Sequence, residues 1–362
     1  MKIVVVGTRG IPDILGGVET HCEELYPRIA AMGHDVTVIR RSCYVADNKR
    51  ISTYKGVKLI DVYAPRLKSI EAIVHTALAV VKARSLKPDV LHIHAIGPAL
   101  LTPFARLLGM RVVMTNHGPD YDRQKWGALA KAALKTGQAM GTRFANKVIV
   151  ISTTIAGILA DKYGRKDTEL IFNGVTPPVV SGDRRWLDRW GISCPYVVAI
   201  GRFVKEKGFH DLIEAFDKSG LKATHQLVIA GDADHEDEYS RALKTQAKEA
   251  GVVLTGFIKG EPLSQLMSGA SLFVLPSYHE GLPISLLEAM SYGLDVAVSD
   301  IPANRLAQLR ADDFFTPGDT DALASLMQTK IANTCRRDYD LSPYNWDNIA
   351  RQTVEVYSAL KK

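Results

Sequence analysis

Short, wholly apolar runs alternate along this chain with longer stretches whose apolar residues recur at helical spacing. Residues 3–6 (IVVV) form the first run, closed by the tight-turn sequence Gly7-Thr8-Arg9-Gly10, as expected of a strand buried on both faces. After Gly16-Gly17, residues 19–32 alternate charged and apolar positions at helical period until Gly33-His34 stops them, and residues 36–39 give a second strand. Residues 90–94, 111–115 and 148–151 repeat the pattern, with helical stretches between them. Such alternation predicts a parallel sheet with crossover helices.

Residues 176–195, with Pro177, Pro178, Gly182 and Pro195, break the rhythm and read as a linker. The pattern then restarts, with strands predicted at 196–200, 226–230, 252–254, 272–275 and 296–298. The organisation expected is therefore 1–175, a linker at 176–195, a second domain at 196–343 and a last amphipathic helix within 344–362. In that helix Trp346, Ile349, Val354, Tyr357 and Leu360 share a face able to pack back on the first domain. The fold class is α/β, two Rossmann-like doubly wound domains facing a cleft, and ligands of such sheets bind beyond the carboxyl ends of the strands.

A length of 362 residues agrees with two cores. Four cysteines without metal-ligand spacing read as reduced thiols, and no apolar run is long enough to span a membrane. A cytoplasmic protein is expected, with a peripheral place at the inner face of the cell membrane as a further expectation. The net charge of +6 is uneven: residues 1–175 carry 25 basic and 14 acidic residues, leaving 20 and 25 for the remainder. Much of the excess lies among Arg40, Arg41, Lys49, Arg50, Lys55, Lys58, Arg66, Lys68, Lys82, Arg84 and Lys87. A solvated surface accounts for this, as does an anionic membrane or a phosphate-bearing acceptor. Nucleic acid ranks last, since no nucleic-acid-binding module accompanies the charge.

Two segments carry candidate chemistry. After the run 272–275 comes Pro276-Ser277-Tyr278-His279-Glu280-Gly281-Leu282-Pro283-Ile284, opening a helix that holds Glu288, with Pro283 at its first position. A helix start aims free amides and the positive end of its dipole outward, a seat for phosphate. Glu280 and Glu288 stand about 12 Å apart if helical throughout, too far for the roughly 5–9.5 Å of a glycosidase pair. The second segment, Gly201-Arg202-Phe203-Val204-Lys205-Glu206-Lys207-Gly208, follows another buried strand and puts cations where a diphosphate can be held without metal.

These segments, with Asn173-Gly174-Val175, Gly16-Gly17-Val18-Glu19-Thr20 and Thr115-Asn116-His117-Gly118-Pro119-Asp120, resemble the signatures of the family 4 glycosyltransferases, retaining enzymes of the GT-B architecture. Gly7-Thr8-Arg9-Gly10-Ile11-Pro12 and residues 117–126 resemble, more narrowly, polysaccharide-assembly enzymes that include rhamnosyltransferases. The resemblance implies transfer of a sugar from a nucleotide diphosphate donor to a saccharide or polyprenyl-diphosphate-linked acceptor, in bacterial surface polysaccharide synthesis, with no metal or other cofactor. Arg202 and Lys207 would grip the diphosphate, Gly16 and Gly17 would admit it from the opposite domain, and Asn173 would belong to the donor site. Glu280 would meet sugar hydroxyls, the amides of Gly281, Leu282, Pro283 and Ile284 would line sugar and phosphate, Glu288 would hold the ribose and Ile258 the base. His117 would lie beside the reacting sugar, making His117, Arg202, Lys207 and Glu280 the catalytic set. Gly293-Leu294-Asp295-Val296, where many relatives have proline, and Ile301-Pro302-Ala303-Asn304-Arg305, without a following acid, depart from the family pattern.

Rival readings are weaker. A nicotinamide enzyme lacks its GxGxxG turn, and strand two ends in Arg40-Arg41 where an acid is wanted. A nucleotide-sugar epimerase of the same fold is the alternative function, and a sugar-binding protein without turnover is a third reading. Asp232-Ala233-Asp234-His235-Glu236-Asp237 mimics a metal motif but reads as a solvated acidic loop, and His92 and His94 read as packing residues on one strand face. No metal ligands are assigned.

Overall fold

The computed structural model describes every residue except 46–49, 67–69, 123–126, 234–235, 307–308 and 361–362. Lys49 and Lys68 of the basic stretch, residues 123–126 of the narrower resemblance and Asp234-His235 of the acidic loop therefore lie outside the described residues.

The chain divides into two compact units, one of Met1–Gly174 with Pro343–Lys362, the other Val175–Ser342. The first holds an eight-stranded sheet built from β1 (Lys2–Val6), β2 (Asp35–Arg41), β3 (Thr53–Tyr54), β4 (Val57–Val62), β5 (Val90–His94), β6 (Val112–Asn116), β7 (Lys147–Val150) and β8 (Glu169–Leu170). Its order is β3-β4-β2-β1-β5-β6-β7-β8, parallel throughout except for the β3–β4 hairpin. Helices α1 (Gly17–Ala31), α2 (Glu71–Ser85), α3 (Thr102–Leu107), α4 (Ala128–Phe144) and α5 (Thr153–Tyr163) connect the strands. The order reverses direction between β1 and β5, the kind of switch point at which open α/β sheets bind ligands.

In the second unit the described strands are β9 (Tyr196–Ile200), β10 (Gln226–Ala230), β11 (Val253–Gly256), β12 (Leu272–Leu275), β13 (Val296–Ser299) and β14 (Phe314–Phe315), all parallel in the order β11-β10-β9-β12-β13-β14. Its helices are α6 (Arg185–Arg189), α7 (Phe209–Lys218), α8 (Glu238–Ala250), α9 (Glu261–Gly269), α10 (Ile284–Ser291) and α11 (Thr320–Ala332). Here the switch lies between β9 and β12. The stretch read as a linker is ordered against this unit, because Trp186 N donates to Gln265 Oε1 at 3.0 Å and Ser181 N to Ser268 Oγ at 3.0 Å.

The last helix, α12 (Trp346–Ala359), belongs to the first unit. Trp346, Ile349, Ala350, Val356 and Tyr357 are buried in the same apolar cluster as Cys22, Leu25 and Tyr26 of α1. Gly174 lies flat on the indole, since a Cβ there would come within 2.4 Å of Trp346 Cδ2.

Two sequence expectations need correction. Strand β4 was missed, because Val57-Lys58-Leu59-Ile60-Asp61-Val62 mixes charge into its apolar run and only one end is fully buried. Arg40 and Arg41, counted as basic surface, are buried: Arg40 Nε meets Asp61 Oδ1 at 2.7 Å and Arg41 Nη1 meets Glu71 Oε1 at 2.8 Å. Lys55, Arg66, Lys82, Arg84 and Lys87 are exposed, and Lys58 is exposed but paired with Asp35 at 2.8 Å.

The departure at Asp295 also finds a physical reason. It is buried with Asp313 between two cations, Lys330 (3.1 and 2.6 Å) and Arg337 (3.1 and 2.7 Å). That compact ionic cluster ties β13 to α11 and to the segment leading out of the unit. Buried charges persist only when paired in this way.

Candidate active site

Loops at the carboxyl ends of β9, β10 and β12 pack on one another without space for side chains between them. A Cβ on Gly208 (φ 65°) would fall 2.2 Å from the Pro276 carbonyl oxygen, and one on Gly231 (φ 142°) 1.8 Å from that of Gly201. Glycine is needed at both places for the close approach and for the positive φ. Tyr278 N donates to Glu206 O at 2.8 Å, a further backbone link between the β9 and β12 loops.

Across this seam Lys207 Nζ meets Glu280 Oε1 at 2.5 Å, with both side chains at most one-sixth exposed. Ser277 Oγ donates to the same oxygen at 2.7 Å. Burial pushes the Glu280 carboxyl up, but the Lys207 charge and hydrogen bond, Ser277 and nearby His279 outweigh it, so the group ionises below the usual carboxylate range. Behind Ser277 its carbonyl accepts from Ser299 Oγ, and Asn304 Nδ2 donates to Ser299 O at 2.9 Å. This buried relay fixes Glu280 from the β13 side. Ser277, Ser299 and Asn304 carried no role in the sequence reading, and no spacing rule would have joined them.

Helix α10 begins one residue later than expected, with Pro283 as its N-cap. Leu286 N and Leu287 N turn back to the Pro283 carbonyl at 3.2 and 3.3 Å. Proline has no N–H, so the expectation of an amide from Pro283 is wrong; the donors of this segment are Gly281, Leu282 and Ile284. Glu288 sits half-buried in the second turn of α10, Arg202 half-buried just beyond β9, and Ile258 half-buried just beyond β11. The structure thus brings Lys207, Glu280 and the start of α10 together and places Arg202 on the same loop as Lys207.

The remaining candidates belong to the first unit. Gly16 caps α1 with φ 146°, and a Cβ there would lie 2.1 Å from Glu19 Oε2. Glu19 Oε1 accepts from Arg9 N at 2.9 Å and from Thr8 Oγ1 at 3.2 Å, which pins the β1–α1 loop. The positive φ and this contact favour glycine at position 16, whereas nothing lies within 4 Å of a Cβ on Gly17. His117 follows β6 and is partly exposed, and its Nε2 lies 2.9 Å from His94 Nδ1. Asn173 is buried, with Oδ1 2.9 Å from His21 Nδ1.

His92 and His94 are packed as expected, stacked at 4.2 Å between centroids. His92 lies 2.9 Å from the Tyr26 hydroxyl, 2.6 Å from that of Tyr357 and 2.7 Å from that of Thr115, while His94 Nε2 bonds the Tyr26 hydroxyl. Sequence reasoning did not foresee that His21 joins them. Ligand atoms of His21, His94 and His117 all lie within 4.8 Å of one another. Burial above all, then repulsion from a neighbouring imidazole, holds His21, His92 and His117 down to about 3 and His94 well below the ordinary value. Of the acidic loop, Asp232 and Glu236 pair with Lys244 at 2.9 and 2.8 Å, and Asp237 caps α8, so these acids have structural partners.

Similarity to known proteins identifies the family and the fold. Residues 15–177 match the family model described as Glycosyltransferase Family 4, and residues 194–333 match that described as Glycosyl transferases group 1. An uncharacterized glycosyltransferase of Methanocaldococcus jannaschii is 25% identical, over 99% of this chain and 98% of its own. A GDP-mannose:cellobiosyl-diphosphopolyprenol alpha-mannosyltransferase of Xanthomonas oryzae is 26% identical, over 74% and 73%. In fold, the sucrose-phosphate synthase of Thermosynechococcus elongatus superposes with a TM-score of 0.81 at 21% identity, over 99% and 98% of the two chains. The fold is that of the GT-B glycosyltransferases. The chain belongs to the family 4 glycosyltransferases and is a glycosyltransferase.

Buried neutral histidines make stability depend on pH with a definite sign. Their folded pKa values lie below the unfolded value near 6.5, so the unfolded chain takes up protons first as pH falls. Stability is complete above about 6.5 and declines toward pH 3, by roughly 1.4 kcal/mol per pH unit for each imidazole. Urea unfolding at pH 7, 6 and 5 is expected to show this decline, and the shape-conserving His92→Asn variant a slope shallower by about one proton. Parallel slopes would remove the neutral His92.

Proposed function

We propose that this glycosyltransferase moves a sugar from a nucleoside diphosphate donor to a saccharide or polyprenyl-diphosphate-linked acceptor, with retention of configuration and without metal, in bacterial surface polysaccharide synthesis. The observation that carries the reading is the Lys207–Glu280 pair, which sets an ammonium and a carboxylate at the start of α10. Cleavage of the anomeric bond builds negative charge on the leaving diphosphate. Lys207 and Arg202, with the amides of Gly281, Leu282 and Ile284, oppose that charge from fixed positions, the kind of preorganised electrostatics that dominates many enzymes.

Both hydrogen bonds found on Glu280 use Oε1, so Oε2 is the oxygen offered to sugar hydroxyls. Glu288 takes the ribose and Ile258 the base. From the first unit Gly16 and Gly17 admit the phosphate, Asn173 belongs to the donor site and His117, neutral because burial depresses its pKa, offers an uncharged imidazole to the sugar. The acceptor attacks from the face that the diphosphate leaves, and the departing phosphate takes its proton. No covalent intermediate on the enzyme is invoked. A lipid-linked acceptor has a precedent in the Xanthomonas relative, whose name specifies a diphosphopolyprenol substrate.

Peripheral membrane contact is the acceptor-side part of the proposal. No helix among the described residues is long and apolar enough to cross a membrane. Helix α2 nevertheless leaves Ile73, Leu78 and Val81 exposed, with Lys82, Arg84 and Lys87 exposed beside them. Apolar side chains flanked by cations suit the surface of an anionic bilayer.

Arg202→Ala and Lys207→Ala are each expected to lower kcat at least 100-fold, about 2.7 kcal/mol of barrier, with unchanged circular dichroism. Wild-type turnover in both variants would refute the assignment. Turnover should persist in excess chelator and the product should keep the donor's anomeric configuration by NMR; donor conversion without acceptor would instead indicate epimerisation. On α2, Ile73→Ser with Val81→Ser should abolish sedimentation with phosphatidylglycerol vesicles, and unaltered sedimentation would remove the membrane contact.

A further inference from the structure

His92 is fully accounted for as a packing residue, because both its ring nitrogens have hydroxyl partners. His21 is not. The residue is 2% exposed, Nδ1 faces the side-chain Oδ1 of Asn173, and Nε2 is buried without a hydrogen-bond partner. With Nδ1–H donating to Asn173, the unpartnered Nε2 carries a lone pair, and ring centroids of His117 and His94 lie only 5.0 and 5.5 Å away.

We propose that His21 Nε2, His94 Nδ1 and His117 Nε2 form a binding site for a borderline-soft divalent cation of the Zn2+ type. Three imidazole donors select such an ion over Mg2+ or Mn2+, which favour oxygen ligands. Histidines that ligate metal almost always donate their second N–H to an oxygen, and that outer shell is already built: Asn173 Oδ1 stands at His21 Nδ1 and the Tyr26 hydroxyl at His94 Nε2. Zinc–nitrogen bonds of about 2.0–2.1 Å put tetrahedral ligands roughly 3.4 Å apart. In the structure His94 Nδ1 and His117 Nε2 stand 2.9 Å apart, and one ring nitrogen from each of the three histidines lies within 4.8 Å of the others, spacings that bracket this value.

All three rings bind as neutral imidazoles, so no net proton is released. The ion replaces the proton between His94 Nδ1 and His117 Nε2, and the N–H of His117 moves to its Nδ1. The partly exposed edge of His117 leaves the fourth position to water. This site is separate from the metal-free transfer chemistry but shares His117 with it, so, on the functional reading above, the ion and the donor sugar compete.

The test is Zn2+ binding by the full chain, stripped by chelator and titrated against a chromophoric chelator. One equivalent is expected to bind and to resist a large excess of Mg2+, and Co2+ should give the intense visible bands of tetrahedral coordination. His21→Phe and His117→Phe should each weaken binding at least tenfold with unchanged circular dichroism, while His210→Phe in the other unit should not. Absence of binding to the wild type, or wild-type affinity in both His21→Phe and His117→Phe, overturns the site. Zn2+ that binds through these residues yet leaves turnover unchanged removes His117 from the sugar subsite, while the metal site stands.

Discussion

A single ion pair organises the second unit's candidate site. Lys207 and Glu280 arise from loops 73 residues apart in the chain, and they meet because β9 and β12 are neighbours at the switch point of their sheet. The contact forms only if the β9 and β12 loop backbones come close, which Gly208 allows, since a Cβ there would fall 2.2 Å from the Pro276 carbonyl oxygen. Ser277, Ser299 and Asn304 then hold the carboxylate from behind. A charged pair this well buried is costly to assemble for stability alone, since apolar residues of like size often do as well. On the proposed reading, holding a cation and an acceptor ready for a polar, anionic ligand gives the cost a function.

The first unit offers a different kind of chemistry. Its interior beyond β5 and β6 is a stack of imidazoles and phenols, neutral at ordinary pH and linked from α12 through Tyr357 to His117 at the edge. The return of the C-terminal helix is thus more than a clasp, because Tyr357 and Trp346 form part of the wall around these histidines.

Much of this was legible in the sequence because buried parallel strands write themselves as continuous apolar runs. Residues 3–6, 90–94, 196–200 and 272–275 all fall on strands. Strand β4 escaped because it carries Lys58 and Asp61, and α12 was visible because one face alone is apolar. The candidate site was readable where its residues are close in sequence, as from Pro276 to Glu288. It was not readable where residues meet only through the fold. His21, His94 and His117 come from a helix and two strand ends: His94 read as a packing residue, His117 as a neighbour of the sugar, and His21 carried no signal at all. Charge was the least reliable signal: Arg40 and Arg41 looked like surface, yet they are buried against Asp61 and Glu71, which no local rule could pair with them.

The central claim is that Lys207, seated beside Glu280 at the head of α10, receives the diphosphate of the donor. Calorimetric titration of UDP, GDP, ADP and dTDP into the wild-type chain and into Lys207→Met tests it without depending on acceptor or linkage. The account predicts that at least one nucleoside diphosphate binds the wild type and that its affinity falls tenfold or more in the variant, with the thermal unfolding midpoint unchanged. Equal affinity in the two proteins would contradict it.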